Sequence, residues 1–328
     1  MDPSADASIP TIDLREPATE VALALDRACS QYGFAQIVGH DIAADIEGSA
    51  WQCARDFFAL PVSDRLAVAI PQGEAYGYGP YLNERLAASR GSQTPADLKE
   101  TFSIGPFDYP VNVDDIVDAD PAAAFAYSPN RWPQAMPQME QVMHSYYDEL
   151  AALSSRLLSL MAVGLGASPH TFDASINEHT SALRLLHYPD VNHSQVQEGQ
   201  LRAGSHSDYG TLTLLRQDDA PGGLEVQHRD GSWWPVPAVD GAYVLNIGDA
   251  LERWTAGRWR STLHRVQLPP ANIERGTERQ SIAFFHNANW DAVIDVLPEC
   301  RVADVEVAEP ITAGRHLMER FRSTQPSM

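Results

Sequence analysis

The sequence predicts a mainly β fold with flanking helices. From Ala182 onward, seven short runs of strand type follow one another: LRLLHY, TLTLLR, LEVQH, WWPVP, AYVLNIG, LHRVQL and SIAFFH. Turn segments such as PGG, RDGS and VDG separate some of them. Regular short strands with such turns are typical of a sandwich or barrel. Before residue 165, apolar residues recur at helical spacing instead, which indicates helices around a β core.

In the first half of the chain, the spacing of apolar residues predicts the helices and strands, and glycine and proline residues mark where the helices end. Gly33 ends the first predicted helix, and Pro61 stops the second. The predicted order is a strand at 9–14, a helix at about 17–32, a strand at 34–38, a helix at 41–58, loops with brief strands at 71–135 and a long amphipathic helix at 133–164. We predict that residues 1–165 pack as a helical and loop region on a core of residues 166–328, forming one structural unit.

Composition excludes several functional classes. The 328 residues carry a net charge of −21, and so acidic a surface repels phosphate backbones and anionic membranes. The three cysteines are far apart and form no CxxC pair, which argues against a disulfide framework or a thiolate metal site and favours a reducing cytoplasm. The N-terminus has no apolar run of signal-peptide type, and no apolar stretch is long enough to span a membrane. No interface signal appears, so a monomer is expected.

A candidate metal site begins with His206 and Asp208, which form a His-Ser-Asp segment. Residues i and i+2 of a strand point to the same face, so an imidazole and a carboxylate stand side by side. Two histidines and one carboxylate on one face of an octahedron are typical of non-haem Fe(II) oxygenases. His264, in the strand-type run STLHRV 56 residues after Asp208, is the candidate third ligand.

The segments around these residues carry a resemblance to a known family. They read HSDYGTLTLL at 206–215, GGLEV at 222–226, YVLNIGDALERWTAGRWRSTLHRV at 243–266 and RQSIAFF at 279–285. In order and spacing they resemble the core of the isopenicillin N synthase-like, 2-oxoglutarate-dependent dioxygenases. Near the N-terminus, IPTIDL, YGFAQIVGH and FFALPVSDR resemble the same family. The resemblance implies a double-stranded β-helix, or jelly-roll, core.

The resemblance also implies a binding site for the cosubstrate 2-oxoglutarate. Arg279 and Ser281 form an Arg-x-Ser pair whose side chains share one strand face, and a guanidinium binds a carboxylate bidentately. Tyr188 matches a family tyrosine that donates to the same carboxylate. One departure is Leu186, since plant members carry Asn-Tyr-Tyr-Pro where this chain has Leu-His-Tyr-Pro. His40 and the turn residues Gly248 and Asp249 match structural positions.

The implied activity is oxidation of a small organic molecule, with 2-oxoglutarate converted to succinate and CO₂. Related halogenases lack the carboxylate ligand, so Asp208 favours hydroxylation or desaturation. Loop residues at the mouth of the barrel are candidates for substrate contacts. Aromatic rings hold apolar molecules, and Arg85 suits a carboxylate. The substrate candidates are Tyr78, Arg85, Phe102 and His286.

Two alternatives fit the same residues. Iron oxidases such as isopenicillin N synthase and aminocyclopropane carboxylate oxidase share the triad and the Arg-x-Ser pair without using 2-oxoglutarate. Succinate formation separates that class from the main interpretation. A non-catalytic jelly-roll binding protein is the second alternative, although all three candidate ligands are present. A zinc hydrolase leaves the Arg-x-Ser pair without purpose, and the His-x-His of cupins is absent from the sequence.

Overall fold

The computed structural model describes residues 8–91, 94–273, 275–302 and 308–324. In these residues the helices are α1 (Ala18–Gln31), α2 (Ala44–Ala59), α3 (Val62–Leu66), α4 (Val113–Ala119), α5 (Ala123–Ala126), α6 (Met139–Gly164), α7 (Asp173–Ile176), α8 (Asp249–Trp254) and α9 (Ala313–Thr324). The strands are β1 (Thr11–Asp13), β2 (Phe34–Val38), β3 (Gly77–Gly79), β4 (Glu100–Ile104), β5 (Ala182–Tyr188), β6 (Ala203–His206), β7 (Leu212–Gln217), β8 (Leu224–Gln227), β9 (Trp233–Pro235), β10 (Tyr243–Ile247), β11 (His264–Val266), β12 (Arg279–His286), β13 (Val293–Ile294) and β14 (Ile311–Thr312).

Two sheets pack face to face and make the jelly-roll core. The larger sheet has eight strands in the order β1-β2-β10-β7-β12-β5-β4-β3, and the smaller has four in the order β6-β11-β8-β9. Leu186 and Ala283 of the larger sheet pack with Ala203 and Val266 of the smaller one. Because side chains alternate along a strand, each sheet turns one face inward to the space between them. The predicted fold class is confirmed.

Strands from the first half of the chain complete the larger sheet. β2 pairs antiparallel with β10, and β1 pairs parallel with β2. At the other edge, β4 pairs with β5 and β3 with β4. The N-terminal region therefore supplies both edges of a sheet whose centre comes from the second half.

Helix α6 covers the outer face of the larger sheet. Its buried residues recur at three and four, from Met139 through Tyr146 and Leu150 to Met161, and it packs on α1 and α2. The helix starts at Met139 rather than at the predicted residue 133, since Pro137 lacks an N–H and restricts the residue before it. The region 71–135 contains α4 and α5 as well as the predicted brief strands. Among the described helices, none is both long and apolar enough to cross a membrane.

Candidate active site

The structure brings His206, Asp208 and His264 together. β6 ends at His206, β11 begins at His264, and the two histidines are partners in the register of these neighbouring strands. Asp208 Oδ1 lies 3.9 Å from His206 Nε2 and 3.7 Å from His264 Nε2. The three ligand atoms all lie within 4.8 Å of one another. Nitrogen and oxygen atoms at this spacing can share one metal ion.

The outer nitrogens of both imidazoles are already engaged. His206 Nδ1 lies 2.8 Å from the carbonyl oxygen of Gly204, and His264 Nδ1 lies 3.1 Å from that of Thr262. Each Nδ1 must carry the proton to donate to a carbonyl, so each Nε2 lone pair is directed toward the common centre. The donor set therefore fits a divalent iron.

Asp208 is held by two partners on the side away from the imidazoles. Its Oδ2 accepts hydrogen bonds from Thr213 Oγ1 at 2.6 Å and from Asn246 Nδ2 at 2.7 Å. Oδ1 remains available to a metal ion. The sequence predicted no role for Thr213 and no metal-site role for Asn246. Side-chain alternation on β7 and β10 is the signal that places both residues on the inner face.

The electrostatics of the triad favour metal-binding protonation states. Burial and the neighbouring His264 lower the pKa of His206 to about 3, so this imidazole is neutral at pH 7. Burial raises the pKa of Asp208, but His264, His206 and the hydrogen bonds from Thr213 and Asn246 outweigh it and lower the pKa below its usual range. A neutral imidazole and an ionised carboxylate are the forms that bind a cation.

The turn after β10 packs against the backbone of the segment that carries Asp208. A Cβ on Gly248 would lie 2.2 Å from the carbonyl oxygen of Gly210, so only glycine fits there. Asp249 begins α8, and its backbone N–H donates to the carbonyl oxygen of Asp208 at 2.8 Å. The Asp249 carboxylate pairs with Arg320 of α9 at 3.0 Å. The expected structural role of His40 fits its hydrogen bond to the Gly241 carbonyl.

Arg279, Ser281 and Tyr188 form a second cluster in the larger sheet. Arg279 lies opposite Tyr188 in the β5–β12 register, with its Cζ 5.0 Å from the centre of the phenol ring. The guanidinium is 1% exposed. Its Nη2 donates to Gln217 Oε1 at 2.7 Å, and Nη1 lies 3.4 Å from Ser281 Oγ. The buried Nε lies 3.9 Å from Asp218 Oδ1 and has no hydrogen-bond partner among the described residues, which leaves donor capacity for an anion.

One cavity of about 990 Å³ joins the two clusters. Its volume lies near the upper end of the range of about 300–1,000 Å³ common for small-molecule sites. The inner faces of both sheets line it, together with Leu317 and Phe321 of α9. This last contribution was not foreseen from the sequence, because α9 follows the core by many residues.

Of the substrate candidates, Arg85 lines the cavity and the other three do not. On β4, Thr101 and Ser103 share the inner face, so Phe102 points outward, where its ring lies 4.4 Å from that of Phe57. Tyr78 pairs with Phe102 in the β3–β4 register and lies on the same outer side, where its hydroxyl donates to Glu100.

His286 also lies on the outer face of its strand. Arg279 and Ser281 face the cavity, so by alternation His286 faces α6. It is fully buried, accepts or donates a 2.7 Å hydrogen bond with Thr211 Oγ1, and lies 5.2 Å from the ring of His179. The pair is a buried structural feature.

The buried pair predicts loss of stability in acid. Burial lowers the pKa of His179 and of His286 below the usual 6.5, so the unfolded chain binds more protons than the folded one once the pH falls below about 6.5. Each histidine then costs about 1.4 kcal/mol of unfolding free energy per pH unit until its folded-state pKa is reached. Chemical denaturation of the metal-free protein between pH 8 and 5 measures this slope. A shallower slope is expected for His286→Gln and an unchanged one for His170→Gln, at an exposed site; equal slopes in all three would contradict the assignment.

Comparisons with known proteins agree with this arrangement. Residues 179–288 match the family model of the 2OG-Fe(II) oxygenase superfamily, and residues 9–135 match that of the non-haem dioxygenase in morphine synthesis N-terminal region. The chain is 34% identical to the 2-oxoglutarate-dependent dioxygenase caaD of Aspergillus niger, over 81% of each chain. It is 33% identical to the clavatol oxidase claD of Penicillium crustosum, over 94% of this chain and 91% of that one. The crystal structure of a full-length Neurospora crassa protein in complex with alpha-KG and thymine superposes with a TM-score of 0.83, at 30% identity and 96% coverage of both chains.

Proposed function

The chain belongs to the 2OG-Fe(II) oxygenase superfamily, and from that premise we propose that it hydroxylates or desaturates a small organic molecule at the triad His206, Asp208 and His264. It is a non-haem dioxygenase that uses Fe(II) and 2-oxoglutarate. The observation that carries the proposal is the presence of both the triad and the buried Arg279 in one cavity. Bound Fe(II), with O₂ and 2-oxoglutarate, supplies the oxidising chemistry and releases succinate and CO₂.

The protein's own groups position the reactants. His206, Asp208 and His264 would hold the ion. Arg279, with Ser281 and Tyr188, would bind the distal carboxylate of 2-oxoglutarate through charge-assisted hydrogen bonds. One cavity would thus hold both the metal and its cosubstrate.

Apolar side chains exclude water from the space between the two clusters. Leu186, Leu215 and Ala283 line this part of the cavity. The apolar side chain of Leu186 makes the wall beside the cosubstrate cluster less polar. A drier site strengthens the electrostatic contacts of Arg279 with an anion.

The carboxylate ligand decides between reaction outcomes. Asp208 occupies a position that halogenation needs for a halide, so transfer of a hydroxyl group or desaturation is favoured over halogenation. The rival class, an iron oxidase that does not use 2-oxoglutarate, is disfavoured because caaD is named as a 2-oxoglutarate-dependent enzyme. That the enzyme acts as a monomer in the cytoplasm stays a prediction, which light scattering and cell fractionation test.

The first experiment reconstitutes the protein with Fe(II) in the absence of O₂ and adds 2-oxoglutarate. We expect a weak visible charge-transfer band, followed by slow succinate formation when O₂ is admitted. Iron binding without the band or succinate would favour the oxidase class. Absence of iron binding would contradict the proposal and favour a non-catalytic binding protein.

A further inference from the structure

Lys99 is the only lysine of the chain, and it lines the cavity just before β4. Its side chain is 2% exposed. Nζ lies 3.1 Å from Glu84 Oε2 and 3.5 Å from Asp97 Oδ2. Burial opposes the charged form of Lys99, but these two carboxylates outweigh it and raise the pKa, so the ammonium is charged.

Most of the hydrogen-bonding capacity of this ammonium is unused. At 3.1 Å, Glu84 can accept one of its hydrogen bonds, and Nζ has no other hydrogen-bond partner among the described residues. Asp97 is occupied elsewhere, since its two oxygens accept the backbone N–H groups of Gly204 and Leu86. An ammonium has three donors, and leaving two of them unpaired in a buried place is costly. A ligand acceptor in the cavity would satisfy them.

Glu84 has a second cationic partner besides Lys99. Its carboxylate also forms an ion pair with Arg184 of β5, which lines the same cavity. Arg184, Glu84, Lys99 and Asp97 therefore form a chain of alternating charges with no net charge. Arg85 adds a cation to the cavity lining and has no ion pair with any described residue. Arg85 therefore gives this side of the cavity a positive charge without an ion-pair partner among the described residues, which attracts an anion.

Lys99 also lies close to the reacting centre. Lys99 lines the same cavity as the triad residues His206 and Asp208 and as Tyr188 of the second cluster. A group bound at Nζ therefore shares the cavity with both the triad and the cosubstrate cluster.

We propose that Lys99 anchors the substrate and that the substrate is a small organic acid whose carboxylate accepts hydrogen bonds from Nζ, with Arg85 contributing to its attraction. This inference rests on the proposed function and adds the substrate class to it. A carboxylate satisfies the unused donors and offsets the positive charge of Arg85 at once. A neutral molecule of the same shape accepts hydrogen bonds from the donors but does not offset the charge.

Matched acids and amides test this class without knowledge of the natural substrate. The probes are phenylacetate with phenylacetamide, and cyclohexanecarboxylate with its primary amide. Their dissociation constants are measured by anaerobic calorimetry on the Fe(II) protein saturated with 2-oxoglutarate. At least one acid is expected to bind about tenfold or more tightly than its amide, since hydrogen bonds to charged groups are stronger. No preference for the acid in either pair would overturn the proposal.

Variants test whether the preference for acids over amides depends on Lys99. Lys99→Met is expected to abolish it, whereas Lys99→Arg, which keeps the charge, retains it. Arg27→Met removes one positive charge from the exposed face of α1 and is the control for net charge. Lys99→Met leaves Glu84 and Asp97 with one cation fewer, which destabilises the fold. The acid–amide comparison on the wild-type protein and the Lys99→Arg variant test the proposal even if Lys99→Met does not fold.

Two results separate this proposal from the function on which it rests. If the wild-type protein forms no 2-oxoglutarate band and no succinate, the proposed function itself fails. If the band forms but Lys99→Met weakens the binding of 2-oxoglutarate and leaves the acid preference unchanged, Lys99 is a cosubstrate contact and the substrate assignment is wrong.

Discussion

Replacement of His206 by alanine is expected to lower the affinity for Fe(II) by more than about 100-fold and to abolish succinate formation. Loss of a hydrogen-bond partner behind a metal ligand costs about 10–100-fold in affinity, so loss of the ligand itself exceeds that range. His264 and Asp208 remain, but two ligands leave part of the former coordination face open. Anaerobic iron titration, followed by a succinate assay, measures both effects.

Two further variants calibrate this result. Asn246→Ala removes one of the two hydrogen bonds to Asp208 Oδ2 and is expected to weaken iron binding by about 10–100-fold, less than His206→Ala. His170→Ala replaces a histidine whose side chain is 79% exposed and leaves iron binding unchanged. Wild-type iron affinity in His206→Ala would disprove the assignment of this ligand.

The second large effect is expected at Arg279. Arg279→Met removes the guanidinium that faces the carboxylate of 2-oxoglutarate, and hydrogen bonds to charged groups contribute about 1.5–3 kcal/mol each. Two such bonds correspond to a rise of about 100-fold or more in the KM for 2-oxoglutarate. Arg279→Lys keeps the charge but loses the planar two-point contact, so an intermediate KM is expected.

The controls for Arg279 separate binding from folding. Gln217 loses its 2.7 Å partner in Arg279→Met, so thermal unfolding of each variant is measured beside its kinetics. Arg55→Lys, on the exposed face of α2, is the matched substitution and leaves the KM unchanged. A variant at Arg279 that keeps the wild-type KM while losing only stability would show a structural role and contradict cosubstrate binding.

The sequence predicted the residues that local spacing places together. His206 and Asp208 lie two positions apart, as do Arg279 and Ser281, and two-residue spacing puts side chains on one strand face. The third ligand, His264, needed the family resemblance, because nothing local joins it to His206. The strand register that makes them neighbours is a long-range property.

The substrate side of the cavity was less predictable. Phe102 and Tyr78 have residue types that suit a binding pocket, yet the alternation of β4 turns them to the outer face. Lys99 lies on the inner side but has no motif that marks it. Its role depends on burial and on the geometry of Glu84 and Asp97, which come together only in the folded chain.

The pairing of β2 with β10 has a consequence for synthesis on the ribosome. Ile37 pairs with Tyr243, and Phe34 of β2 lies with its ring 5.4 Å from the imidazole of His264. At about 5–20 residues per second, the roughly 200 residues between the paired strands take about 10–40 s to translate. Throughout that interval the apolar strand Phe34–Val38 lacks its antiparallel partner, so we expect the nascent chain to expose an unpaired strand edge until β10 emerges.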